Sequence, residues 1–152
     1  MSIDTIVFEA KRYAEKLMNG KKASFKEKPE FNNTPGVYII YEGNEVIYIG
    51  QSINLKNRFK NHLSESKNPR GSTFRRLLIK KFGISAKETK NHIFTNYSVS
   101  CVEIQVTNLF NGLVKAFDMC KLVESILIAY YRPICEGLLN SSPKLPTKNI
   151  KQ

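Results

Sequence analysis

Glu124 is the residue of this chain that asks most of its surroundings. On a helical projection of residues 113–131, at about 100° per residue, Leu113, Phe117, Cys120, Glu124, Leu127, Ile128 and Tyr131 fall on one face. Lys115, Asp118, Lys121 and Ser125 gather on the other. A carboxylate in the middle of an apolar face costs several kcal/mol of desolvation unless it is protonated, paired with a cation or bound to a metal. A buried ion pair with an arginine from elsewhere in the chain and a functional acid both meet that requirement.

A second group of polar residues lies in GVYIIYEGNEVIYIGQSINLKNRFKNHL, residues 36–63. Two strand-like runs each hold a tyrosine near a glycine, in Gly36-Val37-Tyr38 and Tyr48-Ile49-Gly50, and Arg58 and His62 follow one helical turn apart. Tyrosine is a good strand residue, so a lone Tyr38 or Tyr48 would be ordinary. The order of the set is less ordinary: glycine and tyrosine on each strand, arginine on the next helix, an acid on a later one. His62 projects beside Leu55 and Phe59, where a hydrogen-bonded core histidine fits at least as well as a catalytic one. Asn140 is of a type common in turns.

Charge is unevenly spread along the 152 residues, whose formal net charge is +11. Between residues 56 and 81, Lys56, Arg58, Lys60, Lys67, Arg70, Arg75, Arg76, Lys80 and Lys81 face Glu65 alone. Such a field attracts phosphate polyanions, nucleic acid first, and an anionic membrane surface as well; a solvated face is the bland alternative. Lys56, Lys60, Arg75, Arg76, Lys80 and Lys81 are the expected DNA contacts. No apolar run approaches the roughly 18 residues of a membrane span, and MSIDTIVFEAKRYAEKL lacks the pattern of an export signal. Cys101, Cys120 and Cys135 have no CxxC spacing, so an intracellular, cytoplasmic setting is expected. Zinc would require His62 and His92 to converge on cysteines in space.

The elements that must position these residues are legible in outline. Ile3, Ile6, Val7, Ala10, Tyr13, Ala14 and Leu17 predict a leading helix over 1–20, capped by Asp4 or Thr5 and ended by Gly20. Residues 21–35 read as a connecting loop. Strands are expected at 36–41 and 46–50 about a Gly-Asn turn, then a helix from Asn54 carrying Leu55, Phe59 and Leu63 on one face. KNPRGST, 67–73, reads as loop; FRRLLIKKF, 74–82, as a basic helix stopped by Gly83. A helix over 85–97 precedes a strand over 100–106, with Val102, Ile104 and Val106 on one face. After a turn at Asn111-Gly112, the long helix over 113–131 ends at Pro133, and an irregular tail follows.

The ordered set resembles the GIY-YIG nuclease superfamily, whose two strand motifs read here Gly36-Val37-Tyr38, with valine in place of isoleucine, and Tyr48-Ile49-Gly50. The likeness continues through Gln51-Ser52, Asn54-Leu55 and Arg58 to Glu124 in LVESILIAYYRPICEGLLN and to Asn140. It spans residues 34–140. His62 stands where such proteins carry tyrosine or histidine, and the 74–82 helix is similar to STLRR-type segments of stand-alone bacterial members. The resemblance implies one α+β domain over 1–152: the leading helix, a catalytic core over 34–140 with a three-stranded antiparallel sheet flanked by helices, and an irregular tail over 141–152.

What the resemblance implies for chemistry is a metal-dependent DNA endonuclease, a phosphodiester hydrolase. Glu124 would hold one Mg²⁺ or Mn²⁺, hard cations suited to oxygen ligands. Tyr38 would orient or deprotonate the attacking water; to act as base, its phenol pKa would have to be lowered by the metal and Arg58. Arg58 would grip the scissile phosphate, and Tyr48 would bond to a phosphate oxygen or the water network. His62 is the reserve general base, and Asn140 completes the expected catalytic set. The hairpin glycines would let the backbone approach the phosphate closely. The principal rival is a nucleic-acid-binding domain that keeps the fold without turnover; a purely structural partner-binding domain leaves Glu124 unexplained. Selectivity is expected from DNA structure or short local features, or from a homodimer or protein partner.

Overall fold

The computed structural model describes residues 2–105 and 115–140. The expected turn at Asn111-Gly112, the strand end at Val106, the helix start at Leu113 and the 141–152 tail lie outside the described residues.

The hairpin organises the rest. β2 (Gly36–Glu42) and β3 (Glu45–Ser52) turn back on each other at Gly43, which takes φ +59°, a value that suits glycine. β4 (Tyr97–Glu103) pairs antiparallel with the other side of β2, and a two-residue β1 (Ala23–Ser24) joins its far edge, giving the order β1-β4-β2-β3. The sheet thus gains a short fourth strand within the segment expected to be loop. β4 begins three residues before the expected strand, since Tyr97 and Val99 pack on one face of the sheet and Val102 and Ile104 on the other.

Among the described residues, five α-helices cover the two faces. α1 (Ile3–Met18) starts at Ser2, whose hydroxyl accepts the Thr5 N–H, so the cap lies ahead of the expected Asp4 or Thr5. It buries Ala10, Tyr13, Ala14 and Leu17 against the same face as α5 (Ala116–Tyr131), where Val37, Ile39, Ile49 and Val102 complete the core. The opposite face is covered by α2 (Leu55–His62), α3 (Thr73–Phe82) and α4 (Thr89–Asn96), which pack Leu55, Phe59, Phe74, Leu78 and Ile93 against Tyr38, Ile40 and Tyr48. Asn54 caps α2 and Ser72 caps α3, each accepting the N–H three residues on. Gly83 ends α3 with φ +64°.

α5 is phased differently from the projection. It buries Met119, Cys120, Val123 and Leu127, leaves Phe117 42% exposed, and so puts Glu124 at the margin of the buried stripe rather than in its middle. A helix that is apolar nearly all round has no single face for periodicity to find.

Candidate active site

A register break in the hairpin brings the two tyrosines together. β2 and β3 pair Tyr38 with Gly50 and Ile40 with Tyr48, then Tyr41 with Val46, so Ile47 is the extra residue of a bulge. Ile47 and Tyr48 therefore share a face, the one that carries Tyr38. The Tyr38 and Tyr48 ring centres lie 6.2 Å apart.

The glycines are explained by the same packing. A Cβ at Gly50 would stand 2.3 Å from the Tyr38 hydroxyl oxygen, and one at Gly36 would stand 2.5 Å from Leu55 Cδ1 and 2.6 Å from the Val102 carbonyl oxygen. Both glycines make room for the protein's own atoms.

Behind the tyrosines runs a buried hydrogen-bonded chain. The Tyr38 hydroxyl is 2.6 Å from His62 Nε2, His62 Nδ1 is 2.6 Å from Ser72 Oγ, and Ser72 Oγ accepts the Arg75 N–H at 3.0 Å. Burial, then the Arg58 and Arg75 charges, lowers the His62 pKa to about 3. Burial, ahead of Tyr48, pushes Tyr38 well above its ordinary value despite the pull of Arg58, and burial and Glu124 push Tyr48 up to about 12. In the free protein both are neutral phenols. The Arg58 charge pulls the Tyr38 pKa down without offsetting burial, and His62 is a neutral core imidazole with both nitrogens engaged.

His62 thereby sets a pH dependence of stability. Its folded pKa lies below its unfolded value of 6.5, so its contribution is fully present above pH 6.5 and is lost as pH falls from 6.5 toward 3. Thermal unfolding between pH 7 and 4 is expected to show a drop worth several kcal/mol that His62→Gln shows much less. Equal slopes in the two proteins would remove histidine from that role.

Ser72 is absent from the set of residues that the sequence singles out. It falls in KNPRGST, which reads as loop, although a Ser-Thr pair just ahead of an apolar-basic run is a helix-start signal. Arg75, one of the expected DNA contacts, is only 1% exposed. Its guanidinium donates to Thr89 Oγ1 at 2.9 Å, to the Ser66 carbonyl at 2.6 Å and to the Ala86 carbonyl, tying the α2–α3 and α3–α4 connections together. Arg75→Ala would orphan those acceptors, at about 1–3 kcal/mol each where they stay buried. A fall in unfolding free energy of about 3 kcal/mol or more is expected from denaturant titration, and a loss below about 1 kcal/mol would mean the clamp is dispensable.

The remaining groups face outward. Arg58 and Glu124 are half-buried, and Arg58 acts electrostatically on Tyr38, Tyr48, His62 and Glu124 alike. Burial raises the Glu124 pKa, while Lys121 and Arg58 pull it down. Among the described residues neither Arg58 nor Glu124 forms an ion pair or a side-chain hydrogen bond. The arginine partner considered for Glu124 from the sequence is therefore absent among them. α5 lies along the edge strand β3, with Cys120 Sγ 4.0 Å from the Ser52 carbonyl oxygen, which puts Glu124 near the tyrosines from across the sheet edge.

Asn140 belongs to the scaffold. Its amide accepts the Ile49 N–H at 2.9 Å and donates to the Ile49 carbonyl at 2.7 Å, while the Leu139 N–H reaches the Ile47 carbonyl at 2.7 Å. It is a clasp on the open edge of β3. Of the expected DNA contacts other than Arg75, Lys56 and Lys60 are exposed on α2, and Arg76, Lys80 and Lys81 on α3, with Arg76 close enough to act on Tyr48. No group of three or more His, Cys, Asp or Glu side chains that could hold a metal is found among the described residues, which leaves the zinc alternative without support.

Tyrosines on paired strands, an arginine on the following helix and an acid across the sheet edge are the parts that the sequence motifs led one to expect in one place. Residues 34–105 match the family model of the GIY-YIG catalytic domain. This match supports membership of the GIY-YIG nuclease superfamily. No curated protein matches it. The matched range of this GIY-YIG domain holds both tyrosines, Arg58, His62 and Ser72, while Glu124 and Asn140 lie beyond it. The match supports a nuclease-type domain at the level of the family. Among the described residues no helix is long and apolar enough to cross a membrane.

Proposed function

We propose that the protein is a divalent-metal-dependent endonuclease that hydrolyses DNA phosphodiester bonds. The observation that carries this reading is the Arg58 and Glu124 pair: two half-buried groups of opposite charge, with Arg58 close enough to pull the Glu124 pKa down, and neither of them in an ion pair among the described residues. Each has capacity left for a ligand of the opposite sign. A phosphate suits Arg58 and a cation suits Glu124.

The donor set fits a hard cation. One carboxylate oxygen ligand, without sulfur or imidazole beside it, suits a Mg²⁺ or Mn²⁺ that keeps most of its waters. When bound, such an ion supplies positive charge against the phosphate and its developing transition state. Arg58 holds a phosphate oxygen through its planar fork and neutralises charge as the bond order changes. Tyr48 and Tyr38 hold the attacking water by hydrogen bonds, and His62, fixed by Ser72, keeps the Tyr38 hydroxyl in place. A domain that only bound nucleic acid would need the exposed cations but no unpaired acid beside them.

Incubation with plasmid, branched and single-stranded DNA in Mg²⁺, Mn²⁺ or EDTA, read on a gel, tests the activity and shows which DNA form is cut. Persistence of every substrate under all conditions would leave the binding-only reading. The path of the duplex is tested separately. Replacing Arg76, Lys80 and Lys81 with alanine is expected to weaken binding to all duplex sequences alike, and to flatten the slope of log K against log salt by about 0.9 for each phosphate that the protein no longer neutralises. An unchanged slope would move the duplex away from α3.

A further inference from the structure

On the flank of α2 turned away from Arg58, a groove of about 810 Å³ runs between α2, α4 and the segment 28–32. Lys56 and Lys60 on its rim stand about 200° around the helix from Arg58. Phe31 and Phe94, both half-buried, line its walls, and Lys28 and Lys90 complete the rim. Phe31 is held flat by the core, its ring stacked on that of buried Phe59 at 3.8 Å between centres and 8° between planes. The groove continues past Phe94 into a second depression of about 390 Å³ that shares Lys28, Lys90 and Phe94.

The charges on the rim are largely uncommitted. Lys90 Nζ lies 3.5 Å from Glu65 and 5.9 Å from the centre of the Phe94 ring. Lys28, Lys56 and Lys60 form no ion pair among the described residues, and Glu30 is the one acid lining the larger groove. Lys28 is held in the left-handed region, φ +50° and ψ +60°, which is unfavourable for a residue other than glycine, with its N–H donating to the Phe25 carbonyl at 3.1 Å.

We propose that this groove binds an unpaired DNA strand, its bases stacking on Phe31 and Phe94 and its phosphates facing Lys28, Lys56, Lys60 and Lys90. Ammonium groups along a groove floored with partly open aromatic rings, those of Lys28, Lys56 and Lys60 outside any ion pair among the described residues, fit a ligand that alternates phosphates with flat rings. A duplex hides the faces of its bases, and an acidic peptide or a lipid headgroup supplies the charge without the rings. The inference rests on the reading of the protein as a DNA nuclease and deepens it. A single-stranded branch would be held on the far side of α2, about one helix diameter, 10–12 Å, from the phosphate at Arg58. The preferred substrate is then duplex DNA with a single-stranded extension.

The test is fluorescence anisotropy of the full chain in EDTA, where binding is read without cleavage. The ligands are a blunt duplex, the same duplex with a DNA overhang of about ten nucleotides, and that duplex with an abasic or an RNA overhang of the same length. The natural overhang is expected to bind about tenfold tighter than the blunt end, and the abasic overhang to lose most of that gain. Phe31→Leu with Phe94→Leu, which keeps apolar volume and removes the flat rings, should erase the difference between natural and abasic overhangs and leave blunt-duplex binding unchanged. Lys28→Glu with Lys60→Glu alters exposed residues only, so the core stays intact, and it should weaken overhang binding several-fold.

Equal affinity for natural and abasic overhangs would overturn the proposal, as would a wild-type preference that survives both sets of substitutions. Preference for an RNA overhang over a DNA one would overturn the assignment to DNA. An overhang preference in a chain that cuts nothing would uphold the groove and sink the nuclease reading. Cleavage without any such preference would do the reverse.

Discussion

Glu124→Gln is expected to abolish cleavage in Mg²⁺ and Mn²⁺ while leaving DNA binding in EDTA and the unfolding free energy close to wild type. Glutamine keeps the shape and the half-buried packing of the side chain and removes only the charge that a hard cation needs. Because Glu124 makes no ion pair among the described residues, its loss orphans no partner there, so a large stability change is not expected. Burial already raises its pKa, and that unfavourable charge becomes worthwhile only with a cation beside it. Cleavage by the purified variant at the wild-type rate would show that the acid is not the metal ligand.

Arg58→Ala should lower the cleavage rate by roughly 10²-fold or more, the usual effect of removing a group aimed at transition-state charge. Affinity for DNA should fall much less, since the exposed lysines and Arg76 remain. Arg58→Lys should recover part of the rate only, because an ammonium is a point charge without the planar fork that grips two phosphate oxygens. The alanine variant should also raise the His62 pKa, because the Arg58 charge is one of its depressing influences. A loss confined to binding, with the rate at saturating DNA unchanged, would place Arg58 outside the chemistry.

Much of this site is legible in the sequence. The hairpin, the two tyrosines and the helix from Asn54 follow from strand residues, a Gly-Asn turn and a capping asparagine, which are local signals. The bulge at Ile47 is not local in that sense. It is fixed by how β2 and β3 register, and it is what brings Tyr48 onto the face of Tyr38. Gly36 and Gly50 stand out in the motifs, yet their purpose depends on which atoms come near, and those belong to Leu55, Val102 and Tyr38.

Arg75 and Arg76 show the limit of charge patterning. Adjacent on one helix and identical in type, one is sealed in a cage of carbonyl and hydroxyl oxygens and the other is exposed. Composition counts both as basic surface. Only the packing of the connections at Ser66 and Ala86 separates them. Asn140 is similar: its side chain is committed to the Ile49 backbone, a partner 91 residues away that no sequence window contains.

The central claim is that the chain itself hydrolyses DNA when given a divalent cation. Purified protein is bound to supercoiled plasmid in EDTA, excess Mg²⁺ is added, and the DNA is followed on a gel with parallel samples kept in EDTA. One active site cuts one strand per visit, so the account predicts nicked circles first, linear molecules later, and intact plasmid wherever EDTA is in excess. Supercoiled plasmid that stays bound but uncut in Mg²⁺ and Mn²⁺, or cutting that proceeds equally in EDTA, would contradict it.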